Sequence, residues 1–366
     1  MLGKLARLLT YEAILVLAWF FAGSFSLVFL IREGYSIQQA AWLYLLEYLL
    51  ATLLVLVFSR TRFPRADVSM TLGLILLGVS FGCFLFLSGH ALLNAVPVLI
   101  ALSVVLFWIP LSIAMIDLTT AKNRGLIISV SFLVFPIVYF LGPLAGGATI
   151  QNLGYDVLFS VALILLIVTS TLVLLTWRKF ARKYTPRVQR TEVKSYTSAG
   201  FFLEGIQEGV FTIAIPLATF LFVGEEFELG KILAAIGVAG GVMSVVAGKL
   251  SDRKGNRMLF INLAALICGP LLLLAAFVSN LVAFGITIGV IYFFLPLLPI
   301  FLFALAMDRA ASSQNAIMVR ELTLNAGRTL GAFLCLLLTL FVSVQATLVV
   351  AGVSLLIVPL VGLKRR

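Results

Sequence analysis

The sequence predicts an all-α polytopic membrane protein, with twelve transmembrane helices in two pseudo-symmetric six-helix bundles. Three observations carry this reading: composition, the length of the apolar runs, and the side on which the charges fall. Of 366 residues, 62% are hydrophobic and 11% charged. A soluble domain averages about 45–50% apolar and about 25% charged residues. No soluble core hides this much apolar surface, so the solvent is lipid. The runs are apolar on every face for about twenty residues, which fits a spanning helix and not the alternating strands of a barrel.

Twelve such runs follow one another, at roughly 10–31, 39–59, 69–89, 92–117, 125–149, 155–177, 200–223, 229–250, 257–278, 281–307, 315–341 and 343–362. Orientation follows from Lys and Arg. With the N-terminus inside, one side collects Lys4, Arg7, Arg60, Arg62, Arg65, Lys122, Arg124, Lys249, Arg253, Lys254, Arg257, Arg309 and Lys364-Arg365-Arg366. The other side holds Arg32 and Lys231, with Glu33, Asp156, Glu225, Glu226 and Glu228. The positive-inside rule then places both termini in the cytoplasm. A cell-membrane location and a monomeric chain are the matching expectations.

The stretch WRKFARKYTPRVQRTEVKSYTS, from Trp177 to Ser198, breaks the apolar pattern with seven basic residues. It separates six runs from six. It therefore divides the chain into 1–177, a basic linker 178–198 that meets anionic lipid headgroups, and 199–366. A weak repeat agrees with this boundary. Glu12 and Glu204 open the first run of each half, while Met115-Ile116-Asp117 and Ala306-Met307-Asp308 close the fourth run of each.

The formal charge of +11 follows the loops and makes no basic face with interleaved aromatics, so nucleic acid is not expected as a partner. Cys83, Cys268 and Cys335 lie inside apolar runs and read as small core residues. One His in the whole chain gives no metal cluster. The sequence offers neither a deep Asp pair nor a Ser/Lys dyad, so no enzyme is expected, and no cofactor. No Gly-x-x-x-x-Gly-Lys-Ser/Thr loop is present for a nucleotide.

Charged residues at membrane depth cost roughly 2.5–3.5 kcal/mol each on insertion scales, so each needs a reason. Glu47 lies mid-way along the second run. Glu204, Gln207 and Glu208 lie in the inner half of the seventh, with the two carboxylates one helical turn apart. Two carboxylates so close in low dielectric should not both be ionised, so at least one holds a proton near neutral pH. The alternative is that Glu204 reaches the inner interface and only Glu208 lies deep. In the eleventh run, Glu321, Asn325 and Arg328 form one polar stripe, with Gly327 and Gly331 beside it. Arg328 is too deep to reach water and needs a carboxylate, from Glu208, Glu204 or Glu47. Such a pair either recognises substrate or protons, or fixes helix packing.

Gly142, Pro143, Gly146 and Gly147 in the fifth run allow a tight crossing, as do Gly237, Gly240, Gly241, Ser244 and Gly248 in the eighth. By pseudo-symmetry these two runs face each other.

One loop carries a sharper signal. Gly248-Lys249-Leu250-Ser251-Asp252-Arg253-Lys254-Gly255-Asn256-Arg257 resembles the loop signature G-x-L-x-D-R-x-G-[RK]-[RK] of the major facilitator superfamily, at Gly248, Leu250, Asp252, Arg253, Gly255 and Arg257. Together with the six-plus-six layout, the chain resembles that family over nearly its whole length. The resemblance implies a secondary transporter for a small solute, driven by a coupling ion such as H⁺. It also implies that Asp252 latches the cytoplasmic side, here against the start of the fifth run near Arg124.

Two departures matter. The loop between runs two and three, Ser59-Arg60-Thr61-Arg62-Phe63-Pro64-Arg65, lacks the signature that the family usually carries there. The Gly142 to Gly147 stretch resembles the antiporter motif, with Val138 in place of its first glycine, while the fourth run lacks the deep Arg of many proton-driven drug exporters. Efflux of an amphipathic or lipophilic solute is the favoured expectation. The alternatives are an uptake symporter coupled to H⁺ or Na⁺, and a non-transporting sensor or scaffold on the same fold.

Overall fold

The computed structural model describes residues 2–61, 65–117, 124–176, 195–252, 256–309 and 313–363; the side chains at 2, 4, 116–136, 249, 251, 252, 308, 309, 313, 362 and 363 fall outside that description. The linker expectation for 178–198 lies almost wholly outside it.

All secondary structure among the described residues is helical and groups into twelve rods, named α1 to α12. α1 runs Leu2–Ala18, widens into a π-helical turn at Trp19–Gly23 and continues Ser24–Arg32. α2 is Ile37–Phe58, α3 Ala66–Phe86, α4 Gly89–Asp117, α5 Arg124–Leu153 and α6 Tyr155–Thr176. α7 is Tyr196–Val223, α8 Glu226–Asp252 and α9 Arg257–Ala275. α10 is broken into Leu281–Phe294 and Leu297–Arg309, α11 is Ser313–Leu338, and α12 is Leu348–Leu363 after a 3₁₀ turn at Gln345–Thr347. By length and composition, ten helices among the described residues can cross a membrane.

The ends are set by local chemistry. At the start of α2, Ser36 Oγ accepts from the Gln39 N–H at 3.1 Å, while the Ser36 N–H donates to Gln39 Oε1 at 2.8 Å. This reciprocal cap satisfies two backbone donors that a helix start leaves unpaired. Ser195 caps α7 by accepting from the Ser198 N–H at 3.2 Å. Gly224 ends α7 at φ 73°, in the left-handed region that a side chain disfavours. Asn280 Oδ1 accepts from the N–H groups of Val282 and Ala283 and opens α10. Pro296, at the break in α10, has no N–H to continue the ladder.

The rods pack at close range where glycines meet backbone. A Cβ at Gly142 of α5 would stand 2.7 Å from Phe20 Cβ in the π-turn of α1, and one at Gly147 would stand 2.8 Å from Glu226 O of α8. On α8, a Cβ at Gly237 would meet Tyr139 Cβ of α5 at 2.7 Å. The fifth and eighth helices therefore do lie against each other. Gly142 and Gly146, though, face α1, because successive glycines on one helix point to different neighbours. α11 touches both α7 and α2 along much of its length. Outward, Phe86, Phe277 and Phe341 are 82%, 76% and 79% exposed, a cost in water that lipid removes.

Two faces can be told apart by their contacts. At the face where α1 begins, the hydroxyls of Tyr11 and Thr176 (the end of α6) hydrogen-bond, and Arg7 Nη1 donates to Thr176 O at 3.5 Å. At the opposite face, Arg32 at the end of α1 meets Glu226 at the start of α8 at 2.8 Å. Asp67, in the first turn of α3, is buried and paired with Arg65 at 2.7 Å.

Candidate functional site

α7 and α11 cross where glycines face each other. A Cβ on Gly205 would lie 3.0 Å from both Gly327 Cα and Arg328 N. This close approach decides what happens to Arg328. It is the sixteenth residue of α11, about 22 Å into the helix at 1.5 Å per residue. Glu208, thirteenth in α7, stands beside it.

Arg328 Nε donates to Glu208 Oε2 at 2.7 Å, and Nη2 stands 2.5 Å from the same oxygen. Nη1 donates to Asn325 Oδ1 at 3.2 Å, and Asn325 Nδ2 is anchored on Glu321 O at 2.8 Å. The guanidinium lies 5.8 Å from the ring centre of Tyr48 on α2. Of the three carboxylates that the sequence offered to Arg328, Glu208 is the one within contact distance. The two side chains keep 22% and 32% of their surface, so the pair borders space between the helices and is not sealed in packing.

α2 closes the site from its third side. Tyr48 donates its hydroxyl to Thr212 Oγ1 at 3.1 Å, and Thr212 donates to Glu208 O at 2.9 Å. Thr52 and Thr329 hydroxyls lie 3.3 Å apart. Glu47, eleventh of the 22 residues of α2, is 3% exposed, and its Oε2 has no hydrogen-bond partner. It lies in the electrostatic field of Arg328 without contacting it.

Glu204 and Glu321 sit nearer the face where α1 begins. Glu321 is bonded to its neighbour Arg320 at 2.5 Å, so it does not serve Arg328 despite sharing a helix stripe with it. Arg320 lies over the rings of Phe201 and Phe303 at 5.8 and 5.5 Å. Glu204 is 1% exposed with neither oxygen hydrogen-bonded, so it does not reach the interface. Gln207 is also buried, at 2%. Among the described residues, this cluster holds four carboxylates, from Glu47, Glu204, Glu208 and Glu321, against the guanidiniums of Arg320 and Arg328.

The residues of the loop signature come out unevenly. Gly248 is buried in α8, and Arg257 Nη1 donates to Ala304 O of α10 at 2.7 Å. Arg253 and Gly255, and the side chains of Asp252 and Arg124, fall outside the described residues. Sequence reasoning missed Tyr48, Thr212, Thr52 and Thr329. Tyr48 adjoins Glu47 in the chain, which was a usable hint; the threonines gave none, because a hydroxyl in an apolar helix ordinarily bonds its own backbone.

An all-helical membrane protein with a charge pair at mid-depth between packed helices has the build of a transporter. The Major Facilitator Superfamily model matches residues 8–319, and the chain belongs to that family. It is 24% identical over 252 residues, 63% of this chain, to the uncharacterized protein YqgE of Bacillus subtilis (strain 168). The match spans 57% of that relative's length. In fold it is similar to a POT family transporter solved in complex with a thioalcohol-conjugated peptide. That likeness has a TM-score of 0.79 and 11% identity, covering 99% of this chain and 96% of that one.

Proposed function

We propose that the chain is a secondary active transporter that moves a small amphipathic or lipophilic solute by alternating access, exporting it in exchange for protons. The moving bodies are two six-helix bundles, residues 1–177 and 199–366, with 178–198 as the basic linker on anionic headgroups. All twelve rods span the cell membrane, and both termini lie in the cytoplasm. Asp252, Arg253 and Gly255 form a cytoplasmic gate that closes on the start of α5 near Arg124.

The observation that carries this reading is the half-open Glu208–Arg328 pair at mid-depth. A buried pair that only fixes packing repays its desolvation when the geometry is good and its remaining lone pairs and protons are hydrogen-bonded. This one keeps a side free. A proton on Glu208 removes the charge that holds Arg328, and Arg328 is then free to engage another partner. Glu47 and Glu204, desolvated and short of donors, are further proton acceptors in the same low-dielectric space. The largely apolar, Phe-rich spans suit amphipathic or lipophilic solutes better than sugars.

The test is proton-coupled flux in proteoliposomes carrying an imposed pH gradient. Arg328→Ala and Glu208→Gln should each lower flux at least tenfold while the protein still inserts and elutes as a single species. Normal coupled flux in both variants would remove the pair from the mechanism.

A further inference from the structure

α11 and α12 both lie along α7 and scarcely meet each other. Between them, at the end where α7 begins and α12 finishes, runs a groove of about 530 Å³ with α7 as its floor. Small-ligand sites measure about 300–1,000 Å³. The wall is apolar: Phe202 and Leu203 of α7, Leu322 and Ala326 of α11, and Ile357 of α12. Thr323 also lines it, but its hydroxyl is spent on Val319 O at 2.8 Å. Hydroxyls gather at one end, where Ser195 Oγ lies 2.9 Å from Thr197 Oγ1 and 3.0 Å from Ser198 Oγ. From Ser195 to Leu203 the floor runs about 12 Å, at 1.5 Å per residue. That is close to the depth of one leaflet in a hydrocarbon core about 30 Å thick. Ile357, on the lip, is 38% exposed, so the groove opens to the surroundings of the bundle and is not a closed void.

An apolar wall one leaflet deep, with hydroxyls at its rim, matches an acyl chain below its headgroup. Charge says which headgroup. Lys194 directly precedes Ser195 and closes a stretch from Arg178 with seven basic residues, while Lys364, Arg365 and Arg366 directly follow α12. Both chain segments that adjoin the rim are therefore basic, and basic segments at a membrane face attract anionic headgroups. The transported solute is a poorer occupant. Every lining residue belongs to the last six rods, whereas a substrate site in a six-plus-six transporter lies between the two sets. The floor also reaches the α7–α11 crossing, where a Cβ on Gly327 would stand 2.9 Å from Phe202 C. An occupant thus borders the helix pair that carries Glu208 and Arg328.

We propose that this groove is a site for an anionic phospholipid of the cytoplasmic leaflet. One acyl chain lies along α7 between α11 and α12, and the phosphate sits at the Ser195–Ser198 rim. This rests on the reading of these helices as membrane spans with the rim at the cytoplasmic face. The lipid is a resident component and not cargo: it holds α11 and α12 on α7 and leaves the central pair to the solute.

Three probes test it on delipidated full-length protein in neutral detergent. Dioleoylphosphatidylglycerol and dioleoylphosphatidylcholine share their chains and differ in net charge, and glycerol 3-phosphate is a head without chains. By native mass spectrometry the phosphatidylglycerol should bind at least tenfold tighter than the phosphatidylcholine, and it should raise the unfolding midpoint. At about 1 M salt, where the Debye length is about 3 Å, that preference should shrink several-fold. Glycerol 3-phosphate should neither bind nor shift the midpoint. Ala326→Phe and Ala199→Phe fill the groove from different helices and should each lower phosphatidylglycerol affinity at least fivefold. A phosphatidylglycerol with a diazirine in its chain should crosslink the unaltered protein near Phe202 and Ile357, which decides the matter if neither variant folds. Equal binding of the two lipids, full affinity in either filled variant, crosslinks confined to other helices, or a full shift with glycerol 3-phosphate overturns the proposal. Coupled flux without any lipid preference would sink this site and leave the transporter standing. Lipid held in the groove of a protein that moves no solute in proteoliposomes would do the reverse.

Discussion

At the residue scale, the charge that matters most outside the centre is Arg32. It ends α1 and donates to Glu226 Oε1 at 2.8 Å and to Gly224 O at 2.7 Å. Tyr155, which opens α6, donates to the same Glu226 oxygen at 3.1 Å. One acid thus gathers α1, α6 and α8 at the face opposite the N-terminus. Arg32 is 48% exposed, and exposed pairs contribute only about 0.2–1 kcal/mol. Global stability should therefore barely change in Arg32→Ala. A balance between open and closed forms is more sensitive, because 1 kcal/mol is about a fivefold change in a ratio. Spin labels placed at Glu33 and Glu225 should report a longer distance population in Arg32→Ala and in Glu226→Gln than in the parent. Unchanged distance distributions would show that the pair does not hold this face together. Sequence reading saw Arg32 and Glu226 as two charges on one side. It had no means of pairing them, since 194 positions separate them.

At the scale of elements, the α7–α11 crossing is where packing and function meet. A Cβ on Gly327 would lie 2.9 Å from Phe202 C and 3.0 Å from Gly205 Cα, and one on Gly331 would lie 3.0 Å from Ile206 C. These neighbours are backbone and cannot swing aside. Gly327→Leu should then push α11 off α7 and cost more than the usual overpacking penalty of about 1–3 kcal/mol. A lower unfolding midpoint and weakened solute binding together are the expected result; a midpoint unchanged from the parent would mean the crossing is looser than described. The existence and order of the helices were legible in the sequence, because twenty apolar residues between charged turns have few readings. The stripe of Glu321, Asn325 and Arg328 was legible too, as helical spacing. Its partner choice was not. Glu321 lies on that stripe yet bonds Arg320, because rotamer reach and local neighbours decide, and spacing alone carries neither. The π-turn at Trp19–Gly23 had no sequence signal, and neither did the turn of Gly142 and Gly146 toward α1. Both arise from which helix happens to pack there.

At the scale of the whole molecule, belonging to the Major Facilitator Superfamily accounts for the architecture and leaves the chemistry to the site. The contacts between the first six rods and the last six run mostly through α5 against α8 and α2 against α11, with smaller ones between α1 and α7 and between α4 and α11. They combine close backbone approaches with a few polar bonds, such as Gln38 Nε2 donating to Thr339 O at 2.8 Å. Within the first six rods, α3 packs on α4 and α6; within the last six, α7 packs on α11 and α12. Each set therefore has packing partners of its own. If residues 1–177 and 199–366 are the two moving bodies, the covalent link between them matters less than these surfaces. A cut placed within 178–198, with the two pieces produced together, should give halves that purify as a pair and restore solute flux in proteoliposomes, while either piece alone should give none. Pieces that insert but do not associate would show that the linker, and not the α5–α8 and α2–α11 surfaces, holds the halves in register, and the division into two rocking bundles would need a different boundary.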